Sequence, residues 1–334
     1  MPVATSRTII DVHAHFLPAC YVAALDDAGL VTLDRGMPIP PWSKNMALAM
    51  MDRAGISKAL LSVSSPGMAP FAKAQQRTLA RAVNEAAARI VREKPARFGA
   101  LASLPVSDTQ AAVAEIGYAL DTLGLDGFIL ETNHNGIYPS DLQMEPILAE
   151  LDRRKALVLL HPTTPACPHC GLGDMIRQRN PRPSPLIEFP FDTTRAVTEM
   201  LYSGTFARYP AIRFILAHGG GTLPFLAHRI AGFATHPAAG VAQGVTPATI
   251  IGQLASLWYD TALSASEAQL FGLRQLVGAD RILFGSDWPF TPEVAVLGNL
   301  GALKSSQWLD PSELEGVLGG NAAALLAGGN QAAE

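Results

Sequence analysis

Short apolar segments alternate with helical segments along the whole of this 334-residue chain. Strands of a parallel sheet are buried on both faces, and they therefore consist almost entirely of apolar residues. Eight segments have this character, and we predict a strand at each: Thr8–Val12, Ala59–Val63, Gly99–Leu104, Gly127–Leu130, Leu157–Leu160, Phe214–Ala217, Leu257–Tyr259 and Ile282–Phe284. Because the strands are evenly distributed and no linker separates them, we predict one α/β domain over residues 1–334, a closed (β/α)8 TIM barrel. An open doubly wound sheet is the alternative.

The helical segments lie between these strands. The clearest is Ala74–Arg92, where Leu79, Val83 and Ala87 recur at helical spacing and predict one buried face. A last helix is predicted from Pro311, with Asp310 as its N-cap. Further helices are predicted at Thr109–Thr122, Leu142–Arg154, Thr194–Ala207 and Ala265–Val277.

Two long segments interrupt the alternation, at about residues 29–43 and 163–191, and both are rich in proline. Loops of this length commonly serve as lids, binding loops or subunit contacts. The second contains Cys167 and Cys170, and the chain has only one other cysteine, Cys20. A disulfide framework is therefore excluded. The Cys167–Cys170 spacing also suits a metal knuckle or a redox pair, but no second such pair accompanies it, so we favour an incidental or structural role.

Composition excludes several classes of partner. The net charge is −4 and the chain has no basic run, which argues against nucleic acid. The first residues lack the apolar core of a signal peptide, and no uninterrupted apolar stretch approaches the roughly 18 residues of a membrane span. We therefore expect a cytoplasmic protein without a membrane partner.

Polar residues stand where several predicted strands end. His13 and His15 follow the first strand, and side chains two residues apart on a strand point to the same face. Strand five is followed by His161, strand six by His218, and strand eight by the segment that contains Asp287. In a closed barrel all these strand ends meet at one mouth.

Imidazoles and a carboxylate at one mouth predict a metal site. A lone histidine at a strand end is more often a hydrogen-bonded core residue, but several at one mouth favour a metal. This donor set suits Zn²⁺, with Mn²⁺ or Fe²⁺ as alternatives. Strand four ends in Glu131 and Asn133-His134, without a lysine that could be carboxylated to bridge two ions, so we expect one ion. Glu131 and His134 stay open as additional ligands.

Together these motifs resemble the amidohydrolase superfamily, and within it the decarboxylase branch. The resemblance extends from Ile10 to about Leu326. Within the branch, the sequence most resembles the 6-methylsalicylate decarboxylases. The resemblance rests on His13-x-His15, His161-Pro162, His218 with its three glycines, and Gly285-Ser286-Asp287-Trp288-Pro289. The segments 133–136 and 189–194 are also similar to segments of this branch.

The resemblance implies a role for each of these residues. His13, His15, His161 and Asp287 would hold the ion, and His218 would lie beside it as an acid or base. Arg229 corresponds to an arginine that reaches the substrate carboxylate of the neighbouring subunit, which implies a homodimer. From sequence alone, a surface salt bridge is an equally good explanation of Arg229.

The expected reaction is nonoxidative decarboxylation of an aromatic acid of the hydroxybenzoate type, with Asp287 and His218 supplying the proton. The helix before strand two is apolar where the carboxymuconate relatives carry arginines, which favours a substrate with few anionic groups. Four aromatic residues could pack on its ring, namely Phe16, Trp42, Trp288 and Phe290, although core packing or loop anchoring is at least as plausible for each. Hydrolysis of an amide, ester or lactone uses the same kind of site and stays open. A metal-binding barrel without turnover, serving as a structural or sensor module, is a further alternative.

Overall fold

The computed structural model describes residues 8–165 and 182–330. Eight parallel strands follow one another around a single sheet in sequence order. They are β1 Ile9–His15, β2 Ile56–Ser62, β3 Phe98–Ala102, β4 Gly127–Glu131, β5 Leu157–His161, β6 Arg213–Leu216, β7 Trp258–Asp260 and β8 Ile282–Leu283.

Backbone hydrogen bonds join the last strand to the first. Val12 N donates to Phe284 O at 3.0 Å, and Asp287 N donates to His13 O at 2.7 Å. The sheet therefore closes, and the predicted (β/α)8 barrel is confirmed.

Helices surround this barrel, and all those expected from the sequence are present with small changes of boundary. The segment predicted at 194–207 begins earlier and is divided at Gly204, whose φ of 73° is left-handed. The helices are Ala19–Asp27, Lys44–Ala54, Lys73–Glu93, Thr109–Gly117, Glu145–Arg153, Glu188–Tyr202, Thr205–Arg208, Leu223–Phe233, Pro247–Ser256, Glu267–Leu276, Glu293–Ser305, Pro311–Glu315 and Asn321–Asn330. None of them is long and apolar enough to cross a membrane.

The core has two layers. The barrel interior is filled by aliphatic side chains such as Ile10, Val12 and Ile129, and the C-terminal helix adds Leu325 at the bottom. A larger apolar layer lies between the strands and the surrounding helices. The buried histidines His13, His15 and His161 lie at the upper end of the barrel.

The pairing of β1 with β2 is irregular at the point where this change occurs. The register shifts between Asp11 and Ala14, just where aliphatic side chains give way to His13 and His15. Irregular pairing of this kind re-aims side chains and is common beside active sites.

The first predicted loop contains an element that we did not expect. Thr32–Leu33 and Met37–Pro38 form a short antiparallel hairpin. Asp34 and Arg35, at its tip, have left-handed φ values of 44° and 61°. Of the second predicted loop, residues 163–165 and 182–191 are described, and Cys167 and Cys170 lie outside the described residues.

Candidate active site

Four of the predicted side chains converge at the barrel mouth. Potential ligand atoms of His13, His15, His161 and Asp287 all lie within 4.8 Å of one another. The Nε2 atoms of His13 and His15 are 3.0 Å apart. Asp287 Oδ1 lies 3.2 Å from His15 Nε2 and 3.6 Å from His13 Nε2. These three separations are close to the roughly 3.4 Å expected between ligand atoms that lie about 2.1 Å from one tetrahedral ion.

The remaining nitrogens of these imidazoles support the same interpretation. His13 Nδ1 bonds to Asp260 Oδ2 at 2.8 Å, and His15 Nδ1 bonds to Ser62 Oγ at 3.1 Å. Both Nε2 atoms therefore face the cluster. His161 Nδ1 is buried without a hydrogen-bond partner among the described residues. A buried imidazole nitrogen without a partner is unfavourable unless it binds an ion, so the donor set fits one divalent metal ion.

The electrostatics of the cluster depend on burial and on its two aspartates. Burial lowers the pKa of His15 and of His161, so both rings are neutral at neutral pH. Burial also opposes protonation of His13, but the charge and the hydrogen bond of Asp260, together with the charges of Asp287 and Asp11, outweigh it and raise the pKa of His13 to about 9. For Asp287, burial is outweighed by the hydrogen bond with His15 and the charge of His13, which lower its pKa to about 2.

Asp260 belongs to the site although the sequence analysis did not select it. It is the last residue of β7 and is fully buried. One of its carboxylate oxygens holds His13, and the other accepts the backbone N–H groups of His218 at 3.0 Å and Ala262 at 2.9 Å. Asp260 could have been selected by the same criterion as the other candidates, because it is a polar residue directly after an apolar segment. It was missed although the predicted strand ended at the preceding residue, Tyr259.

We predict that Asp260→Asn lowers the affinity for a divalent ion by about 10- to 100-fold, the usual effect of losing a carboxylate that orients a metal-binding histidine. Competition with a chromophoric chelator measures this. Asp126→Asn is a matched control, because Asp126 is a largely buried carboxylate that precedes β4 at the opposite end of the barrel and accepts Ala100 N. Equal affinities of the two variants would contradict the role of Asp260.

His218 lies beside the cluster. Its ring centroid is 5.0 Å from that of His13, and its Nδ1 bonds to Ala262 O at 3.1 Å. Its φ of 54° is unusual for a non-glycine residue, and such strain is concentrated at functional sites. In the turn that follows, a Cβ on Gly221 would collide with Pro190 O, so this position requires glycine.

A cavity of about 670 Å³ opens above the cluster. Its floor includes His161, His218 and Asp287, and Phe290 lines it with its ring edge-on to His15 at 5.6 Å. Apolar side chains supply much of the remaining wall, among them Met37, Leu186, Phe189 and Leu263. This volume and polarity suit a small organic molecule.

Among the residues that line this cavity, four of the predicted substrate-binding residues are missing, namely Phe16, Trp42, Trp288 and Arg229. Phe16 is 1% exposed and packs edge-on against Trp42, so it is a core residue. Trp288 is 8% exposed, and its carbonyl accepts His15 N at 2.7 Å, so it helps to close the barrel instead. Arg229 lies on the exposed face of the helix Leu223–Phe233.

The two open candidates of strand four lie outside the four-residue cluster. His134 Nε2 bonds to Ser107 Oγ at 2.9 Å, and burial lowers its pKa to about 4. Glu131 lies against Gly67, and burial raises its pKa to about 7. Among the described residues, the cluster consists of three histidines and Asp287. This set of donors fits the single ion that we expected from the missing lysine.

The two further segments that drew attention in the sequence meet at a buried carboxylate. Asp192 accepts hydrogen bonds from Thr132 Oγ1 at 2.5 Å, Asn133 Nδ2 at 2.8 Å and Tyr138 OH at 2.6 Å. Arg195 Nη1 also donates to Asp192 Oδ1, at 2.8 Å. These bonds attach the start of the helix Glu188–Tyr202, which carries part of the cavity wall, to the end of β4.

Comparison with known proteins agrees with this geometry. The amidohydrolase family profile matches residues 10–327. The 6-methylsalicylic acid decarboxylase of Penicillium expansum is 36% identical over 294 residues, which cover 86% of this chain and 87% of that protein. A solved structure described as an amidohydrolase II has a TM-score of 0.86 at 32% identity, covering 96% of this chain and 100% of its own. A dihydroxybenzoic acid decarboxylase from a Polaromonas species, solved with manganese and 2-nitroresorcinol, has a TM-score of 0.78 at 23% identity, covering 96% and 97%.

The likeness extends over nearly the whole barrel and includes the strand ends that carry the cluster. The resemblance inferred from the motifs is therefore confirmed: this chain belongs to the amidohydrolase family.

Proposed function

We propose that the protein is a metal-dependent carboxy-lyase that removes CO2 without oxidation from an aromatic acid of the hydroxybenzoate type, such as 6-methylsalicylate. The observation that carries this proposal is the cluster of three imidazoles and Asp287 on the floor of a mostly apolar cavity. The similarity to a 6-methylsalicylic acid decarboxylase favours this reaction over hydrolysis.

His13, His15, His161 and Asp287 would hold one divalent ion. When bound, the ion supplies a fixed positive charge on which the carboxylate and the ortho-hydroxyl of the substrate are oriented. The apolar wall, including Phe290, excludes water from the ring.

The protein's own residues then deliver a proton. An aspartate carboxylate is normally ionised at neutral pH, so Asp287 must first receive a proton. His218 lines the same cavity and is the imidazole placed to supply it. Asp287 passes the proton to the ring carbon that bears the carboxylate. The bond to that carboxylate then breaks, its electron pair restores the aromatic ring, and CO2 leaves.

The direct test is to incubate metal-loaded protein with a panel of salicylate-type acids and to measure CO2 release and phenol formation. We expect stoichiometric CO2 and phenol from at least one acid. A parallel panel of lactones, esters and amides provides the comparison. Hydrolysis on the second panel without decarboxylation on the first would overturn the proposal.

We also propose a homodimer in which Arg229 reaches the cavity of the partner subunit. Arg229 is exposed and makes no ion pair within residues 8–165 and 182–330. On the same helix, Phe225 is 90% exposed, which is unusual for a large apolar side chain and is typical of an interface. The carboxylate of the substrate would be the partner of the guanidinium.

Mixed dimers test this arrangement. Arg229→Ala and Asp287→Asn should each be nearly inactive alone. When the two variants are unfolded and refolded together, each mixed dimer contains one complete site, so about a quarter of the wild-type activity should return. Refolding each variant alone is the control. No recovery in the mixture would show that Arg229 does not act across the interface.

Two finer features belong to the same proposal, namely zinc rather than manganese as the resident ion, and a cytoplasmic location. Three imidazoles and one carboxylate suit zinc, although the Polaromonas enzyme was solved with manganese. Elemental analysis of the purified native protein and fractionation of the source cells would test them separately.

A further inference from the structure

One carboxylate in the cavity wall has no part in the mechanism above. Asp34, at the tip of the short hairpin, lines the metal-side cavity and also a neighbouring cavity of about 320 Å³. It therefore stands at the boundary between the space above the metal cluster and the space beyond it.

The side chain is held in place. Ser65 Oγ and Thr164 Oγ1 each donate to Asp34 Oδ1 at 2.8 Å, and Thr163 Oγ1 bonds to Ser65 Oγ at 2.7 Å. The backbone carbonyl of Asp34 accepts Ser184 N at 2.9 Å. These bonds tie the hairpin tip to the ends of β2 and β5, so the carboxylate cannot simply turn away from a bound molecule.

The negative charge of Asp34 has no cationic partner among the residues that the structure describes. Its hydrogen-bond donors are neutral hydroxyls, and no ion pair to it exists among the described residues. None of the described residues that line the metal-side cavity is Lys or Arg, while Arg35 lines the smaller cavity only. The charge of Asp34 also contributes to the raised pKa of Glu131, so a second carboxyl group lies within electrostatic range.

We propose that Asp34 determines specificity by rejecting aromatic acids that carry a second anionic group, so that the site accepts monocarboxylates. This inference rests on the proposed function and narrows its substrate class. The first carboxylate would be compensated at the metal cluster, but a second one extending toward the hairpin would meet the like charge of Asp34, which has no ion-pair partner within residues 8–165 and 182–330. Unpaired like charges are a general means of excluding a wrong partner.

Binding to the full-length, metal-loaded protein tests this proposal without requiring turnover. The probes are salicylate and 4-hydroxyisophthalate, which is salicylate with a second carboxylate, and calorimetry or competition gives their dissociation constants. In Asp34→Asn the affinity for the dicarboxylate should rise by about tenfold or more relative to salicylate. Asparagine tolerates the left-handed φ at this position, so the hairpin should be retained.

Two further variants separate the local effect from general charge. Asp34→Glu keeps the charge and should keep the discrimination. Glu188→Gln removes one charge from the helix that borders the cavity, at a residue that does not line it, and should also leave the ratio of affinities unchanged. Thermal unfolding and metal content confirm that each variant is folded and loaded.

The outcomes distinguish the two proposals. If wild-type protein binds salicylate but Asp34→Asn has the wild-type ratio of affinities, or if Glu188→Gln changes it equally, the role of Asp34 is wrong while the proposed function stands. If the wild-type protein neither binds nor converts any aromatic acid, the proposed function is wrong, and the role of Asp34 in specificity is wrong as well.

Discussion

Asp287→Asn should lower the rate of decarboxylation by at least about 10³-fold while the protein stays folded. Asparagine has nearly the same shape as aspartate, but it can neither carry the proton to the ring nor contribute negative charge to the cluster. Thr291 Oγ1, which donates to Asp287 Oδ2 at 3.0 Å, still finds an amide oxygen. Steady-state CO2 release measures the effect.

The matched control is Asp280→Asn, the same substitution at a largely exposed residue. The side chain of Asp280 pairs with Arg281 and does not belong to the cluster. It should have wild-type activity. Metal content must be measured for both variants, because Asp287 is also a proposed ligand. A variant at position 287 that retains more than about a tenth of the wild-type turnover would contradict the proposed role of the carboxylate.

Removal of the metal should abolish turnover and lower thermal stability together. The cluster places three imidazoles and a carboxylate within 4.8 Å of one another in a buried site, and an ion that binds only the folded chain stabilises it. At a free ion concentration 100 times Kd, the gain in the free energy of unfolding is about 2.7 kcal/mol. Dialysis against a chelator, followed by addition of Zn²⁺ or Mn²⁺, should remove and restore both properties at about one ion per chain.

Two histidine variants make this test specific to the cluster. His161→Ala removes a proposed ligand and should eliminate most of the metal-induced rise in Tm. His228→Ala removes an exposed histidine outside the cluster and should retain the full rise. If the chelated wild-type protein is as active as the loaded one, the cluster does not serve the reaction.

The fold could be predicted well because its signals are local. Each barrel strand is buried on both faces, so a short apolar segment identifies it without knowledge of its neighbours. The errors lie at boundaries and in irregular segments. The hairpin around Asp34 was missed because two-residue strands have no periodicity to detect, and because two of its left-handed residues, Asp34 and Arg35, are not glycines.

The candidate site was predictable in part. His13, His15, His161 and Asp287 could be selected because polar residues at the ends of apolar strands are conspicuous, and barrel closure brings such ends together. The aromatic residues were less predictable. Phe16 and Trp288 follow or flank the ligands in sequence, yet both are buried in the barrel wall, whereas Phe290 reaches the cavity.

The sequence by itself determined which residues end the strands. It thereby identified the side chains that could bind a metal ion and the family to which the barrel belongs. Only the tertiary structure decided how these donors are oriented and what surrounds them. His13 is turned by Asp260, 247 positions away, and Asp34 is held by Thr164 from the other side of the mouth. Such contacts depend on barrel closure and on the irregular pairing of β1, and no local pattern of residues encodes them.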